Sequence, residues 1–201
     1  RKQGDKLFKA KDKNKDQSYF LYTFNQTELK HLLFPLGNYT KPQVRGLAKK
    51  FKLPVAEKSE SQEICFIPGK SHNEFLRRHL KLIPGKIKTL DGKIVGSHLG
   101  LPLYTVGQRK GIEIGGTGPY YAAKMDYKKN ILHVVNNSND KLLFSDKLTA
   151  KNVNWLTGLA PKSPFKCQAV IRYRHKAAAC VVTKLAKNKY LVKFKKLQRA
   201  I

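Results

Sequence analysis

The hydrophobic pattern of the chain changes at residues 86–96, KIKTLDGKIVG. Apolar and polar residues alternate on both sides of Asp91–Gly92, a pair that favours the type I′ turn of a β-hairpin. Such alternation is typical of strands with one buried face, because successive side chains point to opposite faces. We therefore predict a hairpin here and β structure from Gly85 onward.

Upstream of this hairpin the pattern is helical. NQTE at 25–28 and SHNE at 71–74 match the capping box that begins many helices. Thr40 can cap a helix over residues 41–53, and Pro35 with Gly37 should end the helix before it. Apolar spacing predicts these inward-facing residues: Leu29, Leu32, Leu33, Val44, Leu47, Phe51, Phe75, Leu76 and Leu80.

Downstream segments alternate or are rich in β-branched residues. They are ILHVV at 131–135, QAVIRYRH at 168–175, ACVVTKL at 179–185 and KYLVKF at 189–194. Such runs predict strands, and AKNK should turn between the last two. The expected fold class is α+β, with a mainly helical first third followed by two small β modules that meet near residue 146.

The charge of the chain is extreme, at +28 over 201 residues. No acidic residue follows Asp146, whereas Lys and Arg continue to Arg199. Such a one-signed segment favours a polyanionic partner, and nucleic acid is the first candidate. The alternative is a lysine-rich composition on solvated faces. No apolar run reaches the ~20 residues of a membrane helix, so we expect no membrane partner and a cytoplasmic protein.

Three cysteines, Cys65, Cys167 and Cys180, are too few and too scattered for a disulfide framework or a zinc cluster. Cys65 follows Ile64 and precedes Phe66 near a Pro-Gly turn. A buried thiol is inert and a reactive one needs exposure with positive neighbours, so the residues alone leave both alternatives open. Cys167 and Cys180 occupy alternating strands and look structural. No bound metal is expected.

The glycine-rich stretch at 105–121, TVGQRKGIEIGGTGPYY, could suggest a phosphate cradle with Arg109 and Lys110 as its cations. A dinucleotide fingerprint or P-loop needs a strand before it and a helix after it, and the Pro-Tyr-Tyr that follows is a poor helix start. Tight turns in an antiparallel sheet, with Arg109 and Lys110 as candidate RNA contacts, explain the stretch better.

Two further segments combine cations with groups that can meet RNA. In residues 171–176, IRYRHK, strand alternation would place Arg172 and Arg174 on one face and Tyr173 on the other. Arg can bind phosphate and Tyr can stack on a base, or Tyr173 can simply lie in the core. In residues 14–17, NKDQ, Lys can bind phosphate and Gln can read a base edge, or the segment is a solvated loop.

Taken together, four motifs resemble the tRNA-specific 2-thiouridylases. They are residues 14–48, NKDQSYFLYTFNQTELKHLLFPLGNYTKPQVRGLA, then SQEICFIPG at 61–69, YTVGQRKGI at 104–112 and IRYRH at 171–175. The resemblance spans almost the whole chain. It implies an ATP-dependent transferase that makes 2-thiouridine at the tRNA wobble position through a cysteine persulfide, with a sulfur-relay protein as donor.

The resemblance also implies residue roles. Cys65 matches the catalytic cysteine that carries the persulfide. Lys15, Asp16 and Gln17 match a first tRNA-binding segment, and Arg172 with Tyr173 a second one. A non-catalytic protein that only binds tRNA or another RNA is the alternative.

Some parts of the family pattern do not occur in this sequence. It contains no SGGVDSS-like ATP loop and no cysteine before Cys65 that could pair with it, so ATP with Mg²⁺ would bind elsewhere in a parent protein. We therefore expect residues 1–83 to be the C-terminal part of a Rossmann-like nucleotide-binding domain, 84–146 a central β domain and 147–201 an incomplete β-barrel. Such a chain should be inactive by itself.

Overall fold

The structure is a computed structural model of the chain. It describes residues 2–4, 6–59, 72–112, 114–116, 118–173 and 175–201. The chain divides into two compact units. The first contains Arg1–Glu60 and Thr149–Lys193, and the second contains Ser61–Leu148 and Phe194–Ile201.

The N-terminal part of the first unit is made of short elements. They are strands β1 (Lys2–Gln3) and β2 (Lys6–Leu7), a 3-10 helix (Ser18–Thr23), and helices α1 (Gln26–Lys30) and α2 (Lys41–Lys50). The predicted capping box of α1 is confirmed, because Glu28 N–H donates to Asn25 Oδ1 and Asn25 N–H donates to Glu28 Oε2, both at 2.9 Å. At α2, Thr40 N–H donates to Gln43 Oε1 at 2.9 Å.

The predicted apolar faces of these helices are only partly correct. Leu29 is buried, but α1 ends at Lys30, before Pro35, and Leu33 is 87% exposed. Phe51 lies at the C-terminal cap of α2 and is 65% exposed. Both residues fall beyond the last helical turn, so the helical period no longer determines which way they point.

The C-terminal strands are β7 (Phe144–Lys151), β8 (Phe165–Ala169), β9 (Ala178–Ala186) and β10 (Lys189–Arg199), in the order β7-β10-β9-β8. They form an open sheet. The strand predicted over 168–175 is wrong beyond Ala169, because the chain turns and His175 N–H donates to the Arg172 carbonyl at 3.0 Å. Side chains at 172 and 173 therefore do not alternate across a sheet, and Arg174 lies outside the described residues.

The second unit is built on a four-stranded sheet. Helix α3 (His72–His79) precedes β3 (Gly85–Lys88), β4 (Ile94–His98), β5 (Tyr121–Asp126) and β6 (Ile131–Val135), in the order β4-β3-β6-β5. Strand β3 is antiparallel to β4 and parallel to β6. Ile87, Leu132 and Val134 lie in its core, and Leu76 of α3 packs against that core. Phe75 is partly buried, whereas Leu80 lies beyond α3 and is exposed. Ser71 of the predicted capping box is outside the described residues.

The hairpin predicted at Asp91–Gly92 is confirmed, but its turn type is not. Gly92 has a positive φ of 90° and Asp91 does not, whereas a type I′ turn needs positive φ at both central residues. Gly92 N–H donates to the Thr89 carbonyl and Thr89 N–H to the Lys93 carbonyl. The turn is therefore centred one residue earlier, with Gly92 supplying the left-handed position that follows it.

The expected α+β class is confirmed: short helices are combined with several open sheets. The glycine-rich stretch forms turns with positive φ at Gly107, Gly111, Gly116 and Gly118, as the turn interpretation predicts. In the part of the chain that the structure describes, no helix has the length and apolar character needed to cross a membrane. The three-domain division remains a prediction.

Candidate nucleic-acid interface

A groove of about 1160 Å³ lies in the first unit, between residues 9–19 and 170–176. Its lining includes five cations, Lys9, Lys13, Lys15, Arg172 and Lys176. Among the described lining residues Asp16 is the only acid. Clustered Lys and Arg in a concave surface attract polyanions and bind phosphate oxygens.

Contacts between residues 22–26 and residues 154–156 hold the two sides of this unit together. The Asn154 side-chain amide donates to the carbonyls of Tyr22 and Phe24, at 2.7 and 2.8 Å. The Gln26 amide donates to the Leu156 carbonyl. Trp155 packs edge-on against Phe165 and Tyr190 of the sheet. The N-terminal segments are thus fixed on the sheet that ends at the groove.

Asp16 organises the loop that carries the first predicted tRNA-binding segment. Its carboxylate accepts hydrogen bonds from Ala10 N–H at 3.1 Å, Ser18 N–H at 3.2 Å and Ser18 Oγ at 3.0 Å. A carboxylate that accepts three hydrogen bonds from the protein has most of its acceptor positions occupied. The geometry therefore gives Asp16 a role in shaping the loop around Lys15 and Gln17.

Asp12 supports the same loop from its other end. Its carboxylate accepts from Lys41 N–H, at the start of α2, at 2.9 Å and from Asn14 N–H at 3.0 Å. The Lys41 hydrogen bond is the main cause that lowers the Asp12 pKa below its usual 3.8. The hydrogen bond to Lys41 N–H connects this end of the loop to the start of α2.

Gln17 and Tyr173 join the two segments that the resemblance implies for tRNA binding. The Gln17 side-chain amide donates to the Tyr173 hydroxyl at 3.1 Å. Tyr19 stacks on Tyr173 with centroids 4.5 Å apart and planes 23° apart. Tyr173 is partly exposed at the groove, so the core position considered from the sequence is wrong.

Of the residues proposed from the sequence, Lys15, Asp16, Gln17, Arg172 and Tyr173 are brought together here, with Gln17 beside the groove through its bond to Tyr173. Sequence reasoning missed Tyr19, Lys9 and Lys13, which also line the groove, whereas His175 and Lys176 belong to the predicted 171–176 segment. The aromatic run that follows NKDQ was a usable signal for Tyr19, since aromatic residues beside cations are typical of RNA contacts.

Arg109 and Lys110 lie on an exposed turn of the second unit and do not line the groove. Gln108 holds this turn: its amide donates to the Lys110 carbonyl at 2.8 Å, and its Oε1 accepts from Thr105 N–H at 3.0 Å. Whether the turn contacts RNA stays a prediction.

Cys65, the predicted catalytic residue, lies outside the described residues. Cys167 and Cys180 face each other on β8 and β9, with Sγ atoms 3.5 Å apart and Cys180 buried. Burial is the main cause that raises the Cys180 pKa to about 11. Such a thiol is a poor nucleophile, which agrees with the structural role expected for the pair.

The described residues do not fit an ATP or Mg²⁺ site. The glycine-rich turns at 105–121 are not followed by a helix, as a phosphate loop requires. No group of three or more His, Cys, Asp or Glu residues in the described ranges could hold a metal ion. We therefore assign no step through ATP to residues of this chain.

Three family models match consecutive parts of the chain. A tRNA methyl transferase HUP domain matches residues 1–69, a tRNA methyl transferase PRC-barrel domain matches 73–136, and an aminomethyltransferase β-barrel domain matches 145–201. The groove is formed by residues from the first and third matched regions.

Curated relatives are similar over nearly the whole chain. The tRNA-specific 2-thiouridylase MnmA of Nitrosomonas europaea is 44% identical over 88% of this chain and 50% of its own length. The MnmA of Coxiella burnetii (strain RSA 493) is 42% identical over 98% of this chain and 56% of its own length. The MnmA of Protochlamydia amoebophila is 41% identical over 97% of this chain and 52% of its own length.

The chain thus spans about half the length of the curated relatives it matches. The model descriptions mention methyl transfer, whereas these relatives are named for thiolation. Each of these relatives covers at least 88% of the chain, so its similarity extends into all three matched regions. By this similarity the chain belongs to the tRNA-specific 2-thiouridylase family.

Proposed function

We propose that this chain supplies the tRNA-binding groove and the sulfur-carrying cysteine of a tRNA 2-thiouridine synthase. The observation that carries the proposal is the convergence of residues 15–17 and 172–173 on one basic groove, linked by the Gln17–Tyr173 hydrogen bond. Two segments far apart in sequence thus present cations to the same groove, where one polyanion can contact both.

The groove binds the phosphate backbone near the anticodon. Lys and Arg side chains that neutralise phosphates release counterions, so the affinity for tRNA falls steeply with salt. The target uridine leaves its stack to reach the reacting groups, as base-modifying enzymes generally require. Because the substrate is tRNA, we place the protein in the cytoplasm.

Cys65 delivers the sulfur in this proposal. A persulfide on Cys65, loaded by a sulfur-relay protein, attacks C2 of the uridine through its outer sulfur as the activated uracil oxygen leaves. A second cysteine thiol of the parent protein, which the family resemblance implies, then attacks the Cys65 sulfur. The persulfide S–S bond breaks, the outer sulfur stays on C2 and the two cysteines form a disulfide. The family resemblance supports this role. When bound by the parent protein, ATP would supply the activation of the uracil oxygen, and no residue described above is assigned to hold it.

The test is sulfur incorporation into unmodified tRNA. The chain would be joined to the N-terminal half of the Coxiella burnetii relative and compared as wild type, Cys65→Ser and Cys167→Ser. We expect only Cys65→Ser to abolish 2-thiouridine while tRNA binding is kept. Cys167→Ser is the matched control, since Cys167 lies on a strand opposite Cys180. The mass of the product nucleoside separates sulfur exchange from methyl addition.

The second candidate is a protein that binds tRNA without catalysis. The groove favours it equally, because the groove by itself supplies binding only. If the Cys65→Ser chimera forms 2-thiouridine as well as the wild type, the sulfur-carrier role is wrong and the binding role alone remains.

A further inference from the structure

Two tyrosine rings form part of the wall of the basic groove. Tyr19 and Tyr173 stack with centroids 4.5 Å apart, and both line the groove. Tyr19 remains 46% exposed and Tyr173 38% exposed. Each of these two residues therefore keeps a substantial accessible area in the groove that Lys and Arg residues also line.

The pair is held in place before any ligand arrives. The Gln17 amide fixes the Tyr173 hydroxyl at 3.1 Å. Tyr19 lies on the 3-10 helix that begins at Ser18, and Asp16 binds both the N–H and the hydroxyl of Ser18. A ligand that stacks on rings already ordered pays little of the usual entropic cost of fixing side chains.

The chemistry around the rings selects the ligand. Lys15, Arg172 and Lys176 line the same groove as the two rings, and their positive charge suits phosphates rather than an apolar partner. Bases inside a duplex stack on each other and cannot reach a protein ring, whereas an unpaired base can stack on an aromatic side chain.

We propose that Tyr19 and Tyr173 form a stacking platform for one unpaired base of an RNA strand, while the groove cations bind the phosphates of that strand. This deepens the proposed function, and it rests on it in one respect only, namely that RNA occupies the groove. Tyr19 is the new binding residue.

The 3-10 helix provides a matched control. Tyr22 lies on the same helix and is more exposed than Tyr19, at 68%, but it does not line the groove. Its contact with Asn154 uses the backbone carbonyl, so a side-chain substitution leaves that contact intact. Tyr19→Phe keeps the ring, and Tyr19→Ala removes it.

The experiment measures the affinity of the 201-residue chain for four probes by fluorescence anisotropy over a range of salt concentrations. The probes are a short oligouridine, the same strand with one abasic sugar, a blunt RNA duplex of equal charge and an oligoglutamate. We expect Tyr19→Ala to weaken oligouridine binding by about tenfold and duplex binding by less than twofold. Tyr19→Phe and Tyr22→Ala should bind as the wild type does. The abasic strand should bind more weakly than oligouridine to these three proteins, whereas Tyr19→Ala should bind the two strands equally.

The possible outcomes of this experiment distinguish an error in the platform proposal from an error in the proposed function. Steeply salt-dependent RNA binding that Tyr19→Ala leaves unchanged overturns the platform but not the proposed function. An equal loss for oligouridine and duplex gives Tyr19 a purely structural role and also overturns it. If oligoglutamate binds as well as oligouridine and responds equally to Tyr19→Ala, the site is one for acidic peptides. No RNA binding by the wild-type chain overturns both proposals.

Discussion

The side-chain amide of Gln17 donates a hydrogen bond to the hydroxyl of Tyr173 at 3.1 Å, across a sequence separation of 156 residues. This contact connects the two segments proposed to bind tRNA. In the structure Gln17 acts on Tyr173, which gives it a positioning role that differs from reading a base edge.

Gln17→Ala and Tyr173→Phe should therefore weaken tRNA binding by a similar, small amount. We expect about two- to fivefold for each, since a solvent-exposed hydrogen bond contributes at the low end of about 0.5–1.5 kcal/mol. The double variant should lose no more affinity for tRNA than the single variant with the larger loss, because both substitutions remove the same hydrogen bond. Filter binding of tRNA measures this, and losses that add would instead indicate that Gln17 contacts RNA directly.

At Asp16, the loss of charge and the loss of loop structure are expected to change RNA affinity in opposite directions. Removing an acid from a cationic groove should strengthen RNA binding, but Asp16→Ala also removes three hydrogen-bond acceptor contacts that shape the loop. Asp16→Asn keeps an oxygen for both N–H groups and can donate to Ser18 Oγ.

We expect Asp16→Asn to bind tRNA as well as or better than the wild type and Asp16→Ala to bind more weakly. Asp126→Asn, in the second unit, controls for the change in net charge. If both Asp16 variants strengthen binding equally, Asp16 matters only through its charge and the loop does not need it.

Cys180 should give the stability of the sheet a pH dependence at the alkaline end. Burial first, and then Cys167, raise its pKa from 9.0 to about 11. The folded state therefore favours the protonated thiol more than the unfolded state does. This contribution is fully present below about pH 9 and is lost as the pH rises towards 11.

Urea unfolding at pH values from 8 to 11 should show this decline in the wild type and a shallower one in Cys180→Ala. Native-state alkylation followed by mass spectrometry should modify Cys167 before Cys180, because Cys180 is buried. Faster alkylation of Cys180 would contradict the assignment.

Position 107 requires glycine because of its backbone conformation and because of the atoms packed around it. Its φ is +79°, and a Cβ at this position would lie 2.9 Å from Ala200 Cβ. Gly116 has a similar φ of +87°, but a Cβ there meets nothing within 4 Å. Both residues lie in the second unit, so the pair separates backbone strain from steric contact.

We expect Gly116→Ala to lower the unfolding free energy by about 1 kcal/mol, the usual cost of a left-handed conformation for alanine. Gly107→Ala should cost at least about 1 kcal/mol more, because the Ala200 methyl and the chain around it must shift. Thermal unfolding compares the two variants, and equal losses would show that the C-terminal residues yield without cost.

Local sequence determined many of the elements. The Asn25–Glu28 capping box, the hairpin at Asp91–Gly92 and the strands at 131–135 and 189–194 follow from short-range patterns, and the structure contains all of them. These features depend on hydrogen bonds and side-chain alternation within a few residues, which a sequence displays directly. The ends of helices and strands were less predictable. Leu33 and Phe51 lie beyond the ends of their helices and are exposed, and β8 ends at Ala169 instead of continuing to residue 175.

Only the tertiary structure determines which residues come together in the candidate site. The family resemblance named Lys15, Gln17, Arg172 and Tyr173, but no local pattern states that they share one groove. Tyr19 lines the groove and stacks on Tyr173, a contact between residues far apart in sequence. Such contacts arise when Asn154 and Gln26 fasten distant segments together, and the geometry between distant residues depends on the packing of the whole unit rather than on the period of either segment.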